Sequence, residues 1–247
     1  MVRDKRGWGG TDPPIVVFQH SRSRSAETAQ KIFKEFSGGT LTVDGYTGYD
    51  SLADPKRTNT PWGISYCWVH WRRRFVEFNR TTESPLCQEM IARIGQLYRI
   101  EAEIRGSEPK ARVAVRQKLS RPIVDALRPW LQARLEQLPS GSDLARHIRY
   151  GLKRWDGLTR YLADGRLEMD TNAVENAIRP IPLTKKNALF AGSDDGAVTW
   201  ARMASLIGTC KLNRVNPQAY LEHALDSILN QHMQADILQL MPWNFQR

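Results

Sequence analysis

An α/β layer interrupted by a long all-helical segment is the fold this sequence predicts, and three observations predict it. Before residue 80, short β-favouring runs alternate with an amphipathic helix. From Pro85 to about Ala163 the apolar residues recur at helical spacing throughout. After Gly165 a short extended piece and a helix return, followed by a helical tail. With 41% hydrophobic and 25% charged residues over 247 positions, the chain can bury a core and is not a disordered basic tail.

The elements follow in order. Pro13 and Pro14 precede Ile15 to His20, a strand candidate that starts after a proline pair. Ser21 to Ser25 is a Ser/Arg loop, and Glu27 to Phe36 places Ala29, Ile32, Phe33 and Phe36 at helical spacing until Gly38 and Gly39 end it. Thr40 to Val43 is a second strand, stopped by Asp44 and Gly45, with Tyr46 to Tyr49 as a turn. Ile64 to His70 reads as a third strand running into Trp71 to Phe78. Leu86 to Ile104, Ile123 to Leu138 and Asp143 to Leu162 are helical, punctuated at Gly106 to Pro109 and Pro139 to Ser142. Asp170, Thr171 or Asn172 can cap a helix over Ala173 to Arg179, ended by Pro180. Ala204 to Lys211 and Pro217 to Leu229 are the tail helices.

Charge narrows the function. A net charge of +10 attracts polyanions, so isolated carboxylates at element ends are candidates for holding a metal on a nucleic-acid substrate. Asp44 ends an apolar run and Glu175 lies in the first turns of a helix, where the dipole favours its ionised form. Each has a plainer reading: Asp44 as a turn residue bonding its own backbone, Glu175 as an ordinary first-turn acid. Cys67 and His70 have C-x-x-H spacing without a second arm, which argues against a closed zinc site and leaves a buried Cys with a satisfied His. Arg72, Arg73 and Arg74, between aromatics, are either a solvated helix face or phosphate contacts. Arg179, Lys185 and Lys186 follow the second acid and suit phosphate steering. Arg112, Arg116, Lys118 and Arg121 are read most simply as solvated faces, with a DNA-contacting face as the alternative.

Other classes are less well served. Three cysteines form no paired framework, and neither a signal peptide nor an apolar span of about 20 residues is present, so the expected setting is cytoplasmic with no membrane contact. Glycoside hydrolysis by paired carboxylates fits poorly beside lysines and arginines that favour phosphate.

Four segments, VDGYTGYDSL at 43–52, CWVHWRRRF at 67–75, DTNAVENAIRPIPLTKKNALFAGSD at 170–194 and TCKLNRVNPQAYL at 209–221, resemble the insertion sequence 66 family of bacterial transposases. The likeness runs in one order from VRDKRGWGG near the start to LMPWNF at 240–245. It implies a ribonuclease H-like core over residues 1–80, truncated at its amino end, a helical insertion over 81–165, the remainder of the core over 166–203 and a helical carboxyl-terminal segment over 204–247. It implies a DDE site, with Asp44 resembling the second acid and Glu175 the third, holding two Mg²⁺ ions that cut and join DNA at terminal inverted repeats and target sites. Cys67 and His70 resemble a supporting pair. The family's first Asp sits on a strand upstream of the segment matched at the start. Asp4 and Asp12 do not take its place, because Asp4 lies between Arg3 and Lys5 and Asp12 precedes two prolines. The expectation is therefore a transposase portion with an incomplete metal site, oligomeric or aided by accessory proteins. A non-catalytic DNA-binding remnant that associates with the full-length enzyme is the alternative.

Overall fold

The computed structural model describes residues 1–34, 36, 38–56, 61–183, 192–230 and 233–245, and the chain divides into two units. The larger comprises residues 7–10 and 23–171, the smaller residues 1–6, 11–22 and 172–247.

In the larger unit, Ser25 caps α1 (Ala26–Phe33) by accepting the Thr28 N–H at 3.3 Å. Ala29 and Phe33, one turn apart, share a face and pack with Val43, Leu52 and Ile64 in a small core. The β-branched run before Asp44 forms β3 (Thr40–Val43), paired in parallel with β4 (Gly63–Tyr66), Val43 opposite Tyr66. The crossover that a parallel pair requires carries a 3₁₀ turn over Thr47–Leu52 and returns through Trp62, packed edge-on to Phe33 at 5.3 Å.

The expected strand from Ile64 to His70 ends at Tyr66. Cys67 is instead the N-cap of α2 (Trp68–Thr82), because Trp68, Trp71 and Phe75 form a helical stripe, each fully buried, and that burial outweighs the β propensity of the local residues. The stripe meets α3 (Pro85–Glu103), α5 (Arg121–Glu136), α6 (Asp143–Lys153) and α7 (Trp155–Thr159) in the main core. Both buried indoles are satisfied: Trp68 Nε1–H donates to the Leu158 carbonyl at 2.7 Å and Trp71 Nε1–H to that of His147 at 2.8 Å. Gly151 admits the second ring, since a Cβ there would lie 2.0 Å from Trp71. Gly151→Ala is expected to lower stability by about 1–3 kcal/mol through overpacking, read as a shift in the denaturant midpoint. An unchanged midpoint would contradict this packing.

Two of the four basic residues expected on a solvated face of the helical segment are buried instead. α4 (Pro109–Val115) passes through a π turn at Arg116–Ser120 into α5, and Arg112 and Arg116 are 1% and 0% exposed. Arg116 donates from Nε and Nη2 to Glu101 at 2.8 and 2.6 Å and to the carbonyls of Tyr161, Asp164 and Leu167. Arg112 bonds Glu168, Glu101 and the Gly7 carbonyl. These guanidinium groups are inside because their donors, all but the Arg112 Nε, are matched by carboxylate and carbonyl acceptors, as burial of a charge demands. Lys118 and Arg121 remain solvent-facing as expected.

In the smaller unit the anticipated strand after Pro14 shortens to β2 (Ile15–Val16), antiparallel to β1 (Val2–Arg3). Side chains of α9 (Asp194–Leu212) and its C-cap also bond this segment: Ser205 Oγ accepts the Phe18 N–H at 2.8 Å, Thr209 Oγ1 bonds both backbone groups of Val16 at 3.2 Å, and Asn213 Nδ2–H donates to the Pro14 carbonyl at 2.9 Å. α9 begins ten residues before the sequence-predicted Ala204, at a Ser193 cap accepting the Gly196 N–H. α8 (Asn172–Ile178) and α10 (Pro217–Leu229) match the sequence reading, the latter capped by Asn216. Among the described residues no helix is long and apolar enough to cross a membrane.

Candidate functional site

Asp44 stands at the carboxyl end of β3 in the larger unit, directly after Val43, whose carbonyl accepts the Cys67 N–H at 3.0 Å. Its Oδ1 accepts the Tyr46 N–H at 2.9 Å, so the turn reading of this residue is geometrically correct. The other oxygen is not consumed by the turn and lies 3.7 Å from Arg24 Nη2. One carboxylate is thus held by a paired strand and its own turn while keeping an oxygen for another partner.

The surroundings of that carboxylate are cationic and aromatic. Gly45 has φ +86° and a Cβ on it would lie 1.9 Å from the Tyr150 hydroxyl, so the turn and the helical segment meet only across glycine. The Tyr150 hydroxyl donates to the Asp44 carbonyl at 3.4 Å, and Arg154 Nη2 to the Gly45 carbonyl at 3.4 Å. Burial pushes the Tyr150 hydroxyl above its ordinary range, with Arg154 and Arg74 acting the other way, and it remains a neutral donor at physiological pH. Gly45→Ala is expected to cost about 1–3 kcal/mol, because the methyl meets both a left-handed backbone and the Tyr150 ring. Gly45→Ala combined with Tyr150→Ala should recover part of that loss, and a double variant no better than the single one would oppose this reading.

Cys67 and His70 adjoin the same strand ends. The Cys67 sulfur accepts the Thr171 N–H at 3.3 Å. Burial alone would raise its pKa, but hydrogen bonds from His70 and Thr171 outweigh that and hold the thiol below its usual value. Cys67 therefore ties the start of α2 to the segment that leads into α8, a structural support within reach of Asp44's strand.

The arginine triplet does not form one patch. Successive helical residues point about 100° apart, and the three guanidinium groups separate accordingly. Arg74 lies 4.1 Å from the Tyr150 ring centroid beside the Asp44 turn, and Arg73 is exposed. Arg72 faces Tyr98, whose hydroxyl is pushed up by burial and by Asp170 against the opposing effect of Arg72.

Glu175 belongs to the smaller unit, in the first turn of α8, and is half-buried; Arg179 is exposed and donates its N–H to the Glu175 carbonyl. Lys185 and Lys186 lie outside the described residues. Asp4 and Asp12 are engaged with neighbouring cations: Asp4 with Arg6, whose hydrogen bond holds that carboxyl below its ordinary range, and Asp12 with Lys5 and Arg3. Among the described residues no group of three His, Cys, Asp or Glu side chains gathers to hold a metal. Sequence reasoning missed Arg24, Tyr150 and Arg154. The signal available for the last two was the Asp-Gly pair itself, since a glycine after a strand-end acid permits close approach by another element.

Residues 1–199 match the Transposase IS66 family, and residues 205–243 match the IS66 C-terminal element. The chain belongs to the IS66 transposase family. Both Asp44 and Glu175 fall within the IS66 transposase match, and the C-terminal element takes in the later part of α9 and all of α10. The chain is similar to three proteins of Sinorhizobium fredii. Uncharacterized protein y4qI is 39% identical over 247 residues, covering 99% of this chain and 46% of the relative. Uncharacterized protein y4jD is 38% identical over 245 residues, covering 98% and 48%. Uncharacterized protein y4hP is 34% identical over 258 residues, covering all of this chain and 46% of the relative. The chain spans about half the length of the curated relatives it matches. No solved structure matches it.

Proposed function

We propose that this chain carries the catalytic portion of a transposase that cuts and joins insertion-sequence DNA by phosphoryl transfer, on a ribonuclease H-like core, with Asp44 and Glu175 as two of its three metal-holding carboxylates. The placement of Asp44 supports the reading most directly: a carboxylate fixed at the carboxyl end of a parallel strand, the usual place for a ligand in an α/β layer. Arg24, Arg74 and Arg154 around it suit a polyanionic substrate.

Among the described residues no group of three ligands gathers, and the reading takes Asp44 and Glu175 as two of the three acids that a DDE site uses. A bound divalent ion would neutralise charge on the attacked phosphate. The chain's own residues would hold and orient the DNA strand: Asp44 aims a carboxylate, and the arginines contact phosphate oxygens.

Cleavage of DNA bearing terminal inverted repeats by the complete protein, with Mg²⁺ or Mn²⁺, tests the proposal. Nicks at the repeat ends that vanish with chelator are expected, and cutting that is indifferent to chelator would refute it. The absence of a three-ligand cluster among the described residues favours a second reading for the chain by itself, a DNA-binding portion without chemistry. Binding that falls steeply with salt and ignores metal, with no cleavage by the complete protein, would support that reading.

A further inference from the structure

The cations beside Asp44 include two that no carboxylate neutralises among the described residues. Arg154 lies with its guanidinium carbon 4.1 Å from the Tyr150 ring centroid, and Arg74 stands at 4.1 Å from the same ring. The bonds Arg154 makes are long, 3.5 Å to the Tyr150 carbonyl and 3.4 Å to the Gly45 carbonyl, and its buried Nε has no partner among the described residues. Two like charges about one ring repel, and a half-buried guanidinium whose buried Nε donor is unmet is costly. An anion that takes up those donors relieves both terms.

We infer that Arg154 and Arg74, arranged about Tyr150, form a seat for a phosphate of the DNA strand immediately beside Asp44. The inference rests on the proposal that Asp44 acts on DNA. The helical segment thereby contributes to the strand-binding surface, through Tyr150 of α6 and, one turn on, Arg154 at that helix's C-cap. A guanidinium fork matches two phosphate oxygens, and the Tyr150 ring offers a face on which an adjacent unpaired base can stack. Arg24, whose guanidinium lies 4.4 Å from the Tyr46 centroid, repeats the cation and ring pairing on the same turn. Gly45 is what lets this seat approach the carboxylate, since a side chain there would occupy the space of the Tyr150 hydroxyl.

Fluorescence anisotropy of the 247-residue chain with labelled single-stranded and duplex DNA, in chelator and across a salt series, tests the seat. Arg154→Gln and Arg74→Gln are each expected to weaken binding about tenfold and to lower the slope of log affinity against log salt by about 1. Arg154→Lys should recover the slope but only part of the affinity, because the charge returns without the fork. Arg134→Gln, on an exposed position of α5, should change neither. Thermal unfolding of each variant establishes that it is folded, and Arg154→Lys provides the comparison if a glutamine variant is not. Wild-type affinity and slope in both folded glutamine variants would overturn the seat, as would equal losses in Arg134→Gln. The two proposals separate in the complete protein. Metal-dependent cleavage with the arginines dispensable for binding overturns the seat alone, and arginine-dependent binding without cleavage overturns the catalytic reading alone.

Discussion

Arg116→Leu is expected to lower the stability of the larger unit by about 3–5 kcal/mol, more than any other single substitution considered for the fold. Arg116 is fully buried and Glu101 is 6% exposed, so removing the guanidinium leaves a carboxylate without its main counter-ion in a dry interior. Three backbone carbonyls, those of Tyr161, Asp164 and Leu167, lose their donor at the same time. Arg112 retains Glu168 and still reaches Glu101, which moderates the loss without replacing the missing bonds. Denaturant unfolding reads the effect as a shift in midpoint at constant slope. The double variant Glu101→Leu with Arg116→Leu should be more stable than Arg116→Leu alone, because the stranded charge is gone. A single variant within about 0.5 kcal/mol of wild type would mean that the network contributes no more than a surface feature.

Asp44→Asn is expected to reduce metal-dependent DNA cleavage by the complete protein by about 10³-fold or more, while leaving stability within about 0.5 kcal/mol. Asparagine is nearly the same size and also bonds its backbone two residues on, so the turn with Tyr46 persists. The ion pair lost with Arg24 is long and that arginine is 71% exposed, which makes its contribution to folding small. What disappears is the negative oxygen that the proposed site requires. Gel analysis of end-labelled repeat DNA checks the activity, and thermal unfolding checks the fold. Activity within about an order of magnitude of wild type would remove Asp44 from the chemistry.

Local patterns made most elements readable in the sequence, and contacts distant along the chain decided the rest. The apolar stripes of α3 and α5 and the β-branched run of β3 specified those elements directly. The start of α2 was hidden because Tyr66, Trp68 and Val69 favour strands locally, whereas the stripe that buries Trp68, Trp71 and Phe75 becomes visible only against α6 and α7. The buried arginines carried a usable signal. Glu101 occupies an inward position of α3 in step with Ile94, Leu97 and Ile104, and Arg112 and Arg116 begin the row that continues through Ser120, Val124, Leu127 and Leu131. Charged residues on two apolar rows are most economically explained by each other. The strand-end turn of Asp44 and the first-turn helical position of Glu175 were legible through the local signals around them. Arg154 and Tyr150 were not, because their approach to the Asp44 turn joins positions more than a hundred residues apart.

The side chains that α9 and its C-cap lend to the segment starting at Pro14 have a consequence for how this protein behaves among copies of itself. Ser205, Thr209 and Asn213 recur every fourth residue, and the groups they meet, on Pro14, Val16 and Phe18, recur every second. Four helical residues rise about 6.0 Å and two extended residues about 6.6 Å, so the two rows stay in step over this short length. A hydroxyl and amide ladder on a helix thus does the work of a neighbouring strand. The edge it covers would otherwise present unpaired amides and carbonyls as a template for intermolecular β-pairing, and here that template is closed by the protein's own helix.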